Sequence, residues 1–268
     1  MSALSLAPVL FISHGAPTFA LEPGRLGARL GEVGRHLEDV RAIVVVSPHW
    51  QTRDVAVGTT AAPETIHDFS GFPQALYALR YPVAGAPEAA GQALTLLSEA
   101  GWPVRVEPAR GLDHGAWVPL MHMLPKANIP VFQVSLPHAL DTRGAVALGQ
   151  TLAPLREQGI AIVASGSMTH NLYEFRGAAS QPEPYVSEFT AWVDQAVVER
   201  DVSRLADYRS LAPHAQRAHP TEEHFLPLLV AMAATGDDEP LVQLDDAITY
   251  GVLSMTSYGW GLAQAVSA

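Results

Sequence analysis

The chain has 268 residues, 48% hydrophobic and 16% charged, which fits a globular protein long enough to bury a sizeable core. Its formal net charge of −11 would repel a phosphate backbone or an anionic membrane surface, so neither nucleic acid nor membrane is expected as a partner, and no apolar run reaches the length of a membrane span. There is no cysteine, so disulfides and thiolate chemistry are excluded and any metal site must draw on His, Asp or Glu.

LSLAPVLFI near the N-terminus has the apolar look of a secretory leader, but no basic residue precedes it and no small-residue cleavage site follows. PVLFIS (8–13) is predicted instead as a first buried strand, and the protein is expected in the cytoplasm. RLGARLGEVGRHL (25–37) reads as a helix, AIVVVS (42–47) and VAVGTT (55–60) as strands, PEAAGQALTLLSEA (87–100) as a helix, and PVRVE (103–107) and IPVFQVSL (129–136) as strands. A helix over 141–158 opens on an Asp cap, IAIVAS (160–165) is a strand, and a helix over 186–200 takes Ser187 as its cap. TEEHFLPLLVAMAA (221–234) is predicted as a helix capped by Thr221, and PLVQL (240–244) and a run around 250–260 as the last strands. Strands alternating with helices predict an α/β fold with a mainly parallel or mixed central sheet and helices on both faces. The Pro-bearing stretch RGAASQPEPY (176–185) is the best candidate boundary, but it is short and the apolar pattern resumes after it, so one domain is predicted over 1–268.

Eleven histidines stand out. PVLFIS runs into His14, AIVVVS into Pro48-His49, IPVFQVSL into Pro137-His138, and IAIVAS through a short turn to His170. Open α/β sheets bind ligands beyond the carboxyl ends of their strands, so neighbouring parallel strands would aim these side chains into one crevice. A lone histidine at a strand end is most often an ordinary loop residue, but the repeat of strand-Ser-His and strand-Ser-Pro-His looks like one device used twice. Rigid imidazoles on adjacent strand ends suit a metal, which would then need a third ligand. AHPTEEHFLPLL (218–229) offers candidates: Glu222 and Glu223 are read as serving the helix dipole, and His224 lies at the edge of the buried face. His114 sits in a Gly-flanked turn ahead of a helix containing Trp117, and His67 and Phe69 lie in an aromatic loop that could wall a substrate or merely face solvent. His36 and His214 are expected at the surface and His122 packed.

SHGAP (13–17), SPHW (47–50), GLDHGAWVPL (111–120), SGSMTHNL (165–172) and HPTEEHFLPL (219–228) together resemble the DOPA-dioxygenase-like branch of the class III extradiol ring-cleaving dioxygenases, related to the catalytic subunit of protocatechuate 4,5-dioxygenase. The resemblance implies one mononuclear metal, Fe(II) in the active form and often Zn(II) as purified. It implies His14, His49 and His224 as ligands, with Glu222 or Glu223 kept open because the wider superfamily uses a carboxylate there. It implies His170 as the acid–base residue and His114 as a second residue near substrate. His67, Phe69 and Trp117 are candidate pocket residues from their own place in the sequence. The partners implied are a small aromatic diol and O2, and a homo-oligomer is left open.

Three neutral imidazoles leave a metal its full charge, which favours a chelating catecholate, and leave coordination positions open. They suit Zn(II) equally, so a zinc hydrolase with His170 as general base is the alternative enzyme class. A non-catalytic metal-binding relative is the third reading; the presence of His14, His49, His170 and His224 together argues against it.

Overall fold

The computed structural model describes residues 6–37, 39–175, 177 and 181–262; parts of the candidate boundary, 176 and 178–180, lie outside these. The strands are β1 (Val9–Ser13), β2 (Ala42–Thr52), β3 (Val55–Gly58), β4 (Val104–Glu107), β5 (Val131–Pro137), β6 (Ile160–Gly166), β7 (Leu241–Asp245), β8 (Ile248–Thr249), β9 (Leu253–Ser254) and β10 (Ser257–Trp260). The helices are α1 (Gly24–Gly34), α2 (Gln74–Ala78), α3 (Pro87–Glu99), α4 (His114–Met123), α5 (Thr142–Leu152), α6 (Pro184–Val198), α7 (Val202–Ala206), α8 (Tyr208–Leu211), α9 (Ala215–Ala218) and α10 (Leu226–Ala233). No helix among the described residues is long and apolar enough to cross a membrane.

Eight strands form one mixed sheet in the order β4-β3-β5-β2-β6-β1-β10-β7, while β8 and β9 form a separate hairpin. The four central strands β5, β2, β6 and β1 are mutually parallel, so their carboxyl ends share one edge. These strands are continuous apolar runs because both faces are covered. Val9, Phe11, Val44, Val46, Ile162 and Ala164 pack into one core with side chains of α3, α5, α6 and α10. The alternate residues Leu10, Ile12, Ile43, Val45, Ala161 and Val163 pack into the other with α1 and α4. Each fully buried Val, Leu, Ile or Phe side chain among these contributes roughly 1.5–3 kcal/mol.

Several element ends differ from the sequence expectation. β2 does not stop at Ser47; it runs on to Thr52, with a register shift against β5 between Val46 and Gln51. β1 and β2 are not adjacent, since β6 lies between them. Ser187 lies inside α6, which starts at Pro184 because the ring presets a first-turn φ and needs no N–H partner. Thr221 caps nothing: α10 starts at Leu226, with Pro227 in its first turn, and the Thr221 hydroxyl bonds Glu223 instead. The helix read over 141–158 tightens to 3-10 geometry from Ala153, next to Pro154, and the C-terminal run divides into β9 and β10.

One buried cation ties the N-terminal entry to the sheet's far edge. Arg156, 2% exposed, donates to the carbonyls of Ala7 (2.7 Å) and Ala234 (2.8 Å) and to both oxygens of Glu239. Burial opposes the charge on Glu239, but its bonds from Arg156 and the Gly236 N–H, with Arg200 nearby, hold its carboxyl below the ordinary 4.5. Removing one partner of such a pair strands the rest, so Arg156→Met is expected to cost about 3 kcal/mol in urea unfolding. A depressed carboxyl stabilises the fold fully above its unfolded pKa and loses that contribution as pH falls through its folded value. The stability gap between wild type and Glu239→Gln should therefore be constant above about pH 5 and shrink as pH falls below the ordinary 4.5.

Candidate metal centre

Three imidazoles meet at the carboxyl edge of the parallel strands. His14 follows β1 directly, and its backbone N–H bonds Gly166 on β6 at 3.0 Å. The chain then turns through Gly15 at φ +61°, where a Cβ would lie 2.8 Å from Met255 Sδ, so the turn requires glycine. His49 stands on the irregular part of β2, and His224 lies in the turn just before α10, its carbonyl taking the Ser167 N–H at 2.9 Å. The Nε2 atoms of His14 and His49 are 3.1 Å apart, and those of His224 and His49 3.4 Å. β6 does not block this approach, because at its end it carries only Ser165 and Gly166, and Ser165 Oγ bonds His14 Nδ1 at 2.9 Å.

Two of the outer ring nitrogens are hydrogen-bonded and the third faces a carboxylate, which bears on the inner ones. His14 Nδ1 meets Ser165 Oγ, His224 Nδ1 meets Glu223 Oε1 at 3.3 Å, and His49 Nδ1 faces Asp68 Oδ2 at 3.6 Å. A carboxylate only accepts, so the ring nitrogen facing it is the one that carries the proton and the opposite Nε2 holds a lone pair. Burial, reinforced by the neighbouring imidazoles, pushes His14 and His224 well below the usual histidine range and His49 down to about 3. Neutral rings with lone pairs facing one another repel unless a cation lies between them, and three nitrogen donors of this kind fit Fe(II) or Zn(II). The residues thus fit a mononuclear metal.

Two further histidines flank the three. The ring of His114 lies 4.0 Å from that of His49 and 5.4 Å from that of His14. Its Nδ1 bonds Asp68 Oδ2 at 3.0 Å, and its backbone N–H bonds Asp68 Oδ1 at 2.9 Å. Asp68 is correspondingly held down to about 2: burial opposes this, but the His114 bonds and the nearby His49 outweigh it. His170 lies flat on His224, with ring centroids 3.4 Å apart and planes 8° apart, and burial with help from His49 and His114 pushes it down to about 4.

The remaining candidates fall into distinct places. Phe69 sets its ring edge-on to His114 at 5.6 Å. His67 Nε2 bonds the Leu79 carbonyl at 3.1 Å, and Trp117, fully buried, donates its indole N–H to Ile66 at 2.9 Å; both anchor the loop that carries Phe69. Glu223 meets His224 on the side away from the three Nε2 atoms, and Glu222 pairs loosely with Arg209 at 3.9 Å. His138 bonds Gln51 at 3.2 Å and lines a separate cleft of about 300 Å³ with Arg209, Glu222 and Glu223. His219 is a packed residue, bonding the Met168 carbonyl at 2.9 Å among Phe189, Tyr208 and Phe225. His122 is packed against Phe19, and His36 and His214 are exposed or nearly so.

The sequence places Asp68 beside His67 in the aromatic loop without indicating its contacts, and it points to no role for Asp113 or Ser165. Asp113 is fully buried, accepts from Ser47 Oγ at 2.7 Å and Gln133 Nε2 at 2.9 Å, and so ties the residues beside both His49 and His114 together. The one local signal is its place next to His114 in GLDHG; the partners of Asp68 and Ser165 are too distant in sequence to be read.

The residues 26–260 match the family described as the catalytic LigB subunit of aromatic ring-opening dioxygenase. The chain is 37% identical to a 4,5-DOPA dioxygenase extradiol of Beta vulgaris, over 95% of this chain and 96% of that one. It is 37% identical to a protein of the same name from Escherichia coli (strain K12), over 93% of each. The crystal structure of an uncharacterized Escherichia coli K12 protein superposes with a TM-score of 0.78 at 31% identity, covering 94% of this chain and 99% of that one. The chain belongs to the LigB family of class III extradiol dioxygenases and is a metal-dependent ring-opening enzyme of that kind.

A Cβ at Gly115 would lie 2.4 Å from Ser47 Oγ and 3.1 Å from His49 Cδ2. Gly115→Ala should therefore push His49 out of register with its partners. Zn(II) binding, measured by chelator competition, is expected to weaken about 10- to 100-fold while the circular dichroism spectrum stays native.

Proposed function

We propose that this enzyme opens a catechol-type ring beside its diol, using O2 and one Fe(II) held by His14, His49 and His224. The observation that carries this reading is the convergence of their three Nε2 atoms, at 3.1 and 3.4 Å, between His114 on one side and His170 on the other. Fe(II) bound there would supply the redox-active Lewis acid at which a chelated catechol and O2 react. Zn(II) would fit the same donors but has no redox chemistry, so it is read as the metal that occupies the site on purification.

The protein's own residues do the rest. His170 is neutral at physiological pH and takes a proton from a catechol hydroxyl, then returns a proton as the ring opens. His114 presents Nε2 to the substrate because Asp68 occupies its Nδ1. Phe69 forms an apolar wall edge-on to His114, while His67 and Trp117 hold its loop. The whole chain, 1–268, acts as one catalytic domain in the cytoplasm.

Family membership favours the dioxygenase over the zinc hydrolase and the non-catalytic reading. The test is oxygen uptake. Protein stripped of metal and reloaded anaerobically with Fe(II) should consume O2 and yield a yellow ring-opened product from L-DOPA or protocatechuate, and the Zn(II) form should do neither. Absence of uptake across a panel of catechols, from protein shown to hold iron, would overturn the proposal. His170→Ala should keep its iron and lose about 10²- to 10⁴-fold in kcat. His14→Ala should stay folded and lose metal and activity together.

A further inference from the structure

Asp68 touches the site through three contacts from a loop of its own. Oδ1 accepts the backbone N–H of His114 at 2.9 Å, Oδ2 accepts Nδ1–H of the same residue at 3.0 Å, and that same Oδ2 faces His49 Nδ1 at 3.6 Å. The first contact fills an opening left by the helix itself. Asp113 is the N-cap of α4 but makes no side-chain cap bond, because its carboxylate is spent on Ser47 and Gln133. Asp68 supplies the missing acceptor from 46 residues away.

The second contact sets chemistry. An ionised carboxylate has no proton to give, so in its neutral form His114 carries its proton on Nδ1 and keeps Nε2 as an acceptor. The third contact leans on a metal ligand in the same sense, favouring Nδ1–H and a free Nε2 on His49. Phe69 adjoins Asp68 in sequence and lies edge-on to His114 at 5.6 Å, so the loop's placement and the imidazole's orientation are fixed by one anchor.

We propose that Asp68 is a positioning residue: bound to His114 at both its backbone N–H and Nδ1, it selects the His114 tautomer that turns an acceptor nitrogen toward the substrate and pins the Phe69 loop in place. The assignment rests on the reading of His114 as a residue that meets substrate.

The test is Asp68→Asn, read in two independent ways. The amide keeps the size of the side chain but sets an N–H2 donor against Nδ1 when its oxygen caps α4, which favours the opposite tautomer. In Zn(II)-loaded protein labelled with ¹⁵N-histidine, wild-type His114 should show Nδ1–H, and the Asn variant should move to Nε2–H with one zinc retained per chain. In the Fe(II) form, kcat should fall about 10²-fold or more with KM for a catechol changed less than about threefold. Wild-type His114 found as Nε2–H, or an Asn variant with unchanged tautomer, would overturn the proposal, since a merely structural role would lower thermal stability without moving the proton. If the Asn variant does not fold, Asp68→Ala is titrated with formate: return of the Nδ1–H signal supports the assignment, and no response to formate overturns it. The NMR arm needs no turnover, so a wild type that binds metal yet cleaves no catechol would count against the proposed function alone.

Discussion

Three imidazoles whose Nε2 atoms converge beyond the carboxyl edge of the sheet are the constraint on which the site depends. The Nε2 atoms of His14, His49 and His224 approach to 3.1 and 3.4 Å, and the carboxylates facing Nδ1 of His49 and His224 favour a proton on the far side of those two rings. With lone pairs turned inward the three nitrogens would repel one another, and a cation at the centre would remove that repulsion. Each ring meets a different group behind it: His14 a hydroxyl from β6, His224 a carboxylate from the turn before α10, and His49, at the longer distance of 3.6 Å, a carboxylate from the loop after β3. These contacts orient the rings, and three neutral imidazoles would leave a bound metal its full charge.

The sheet supplies the distances. His14 and His49 are separated by an intervening strand, and strands in a sheet lie roughly 5 Å apart, so their rings must lean toward each other over the end of β6. That strand ends in Ser165-Gly166, small enough to pass beneath, and Ser165 turns the crossing into a hydrogen bond. β2 helps by losing its regular pairing between Val46 and Gln51, which frees His49 from the up-down alternation of a regular strand.

Much of this was legible in the sequence, and the reason is physical. Apolar runs ending in Ser-His or Ser-Pro-His mark strand exits by hydrophobicity and turn chemistry alone, and parallel strands then carry their exits to one edge. His14, His49 and His170 could be grouped on that basis. The start of α10 was misread because Thr-Glu-Glu has every feature of a helix entry, yet Pro227 and the tie from Ser167 to the His224 carbonyl favour a later start. That turn is also what allows His224 to be buried beside β6 rather than exposed on a first helical turn. Asp68 could not be found in this way. Its value lies in contacts 46 and 19 residues away, and no local pattern distinguishes a loop aspartate that meets two imidazoles from one that meets water.

The stack of His170 on His224 gives an account of why an imidazole, rather than a carboxylate, suits position 224. A carboxylate would donate to a metal equally well and would lower the net charge of the centre. It has no face, however, and His170 lies flat against one, 3.4 Å away and 8° from parallel. The backbone N–H of His170 is tied to Ala218, in the chain segment that leads into His224, so ring and backbone are located by the same stretch of structure. His114 is held by a contrasting device, a carboxylate bound at two points. The two flanking histidines are thus oriented by different physics, one by ring contact with His224 and one by hydrogen bonds to an anion. A change at position 224 would disturb the three-imidazole cluster and His170 together and leave the contacts of His114 with Asp68 in place.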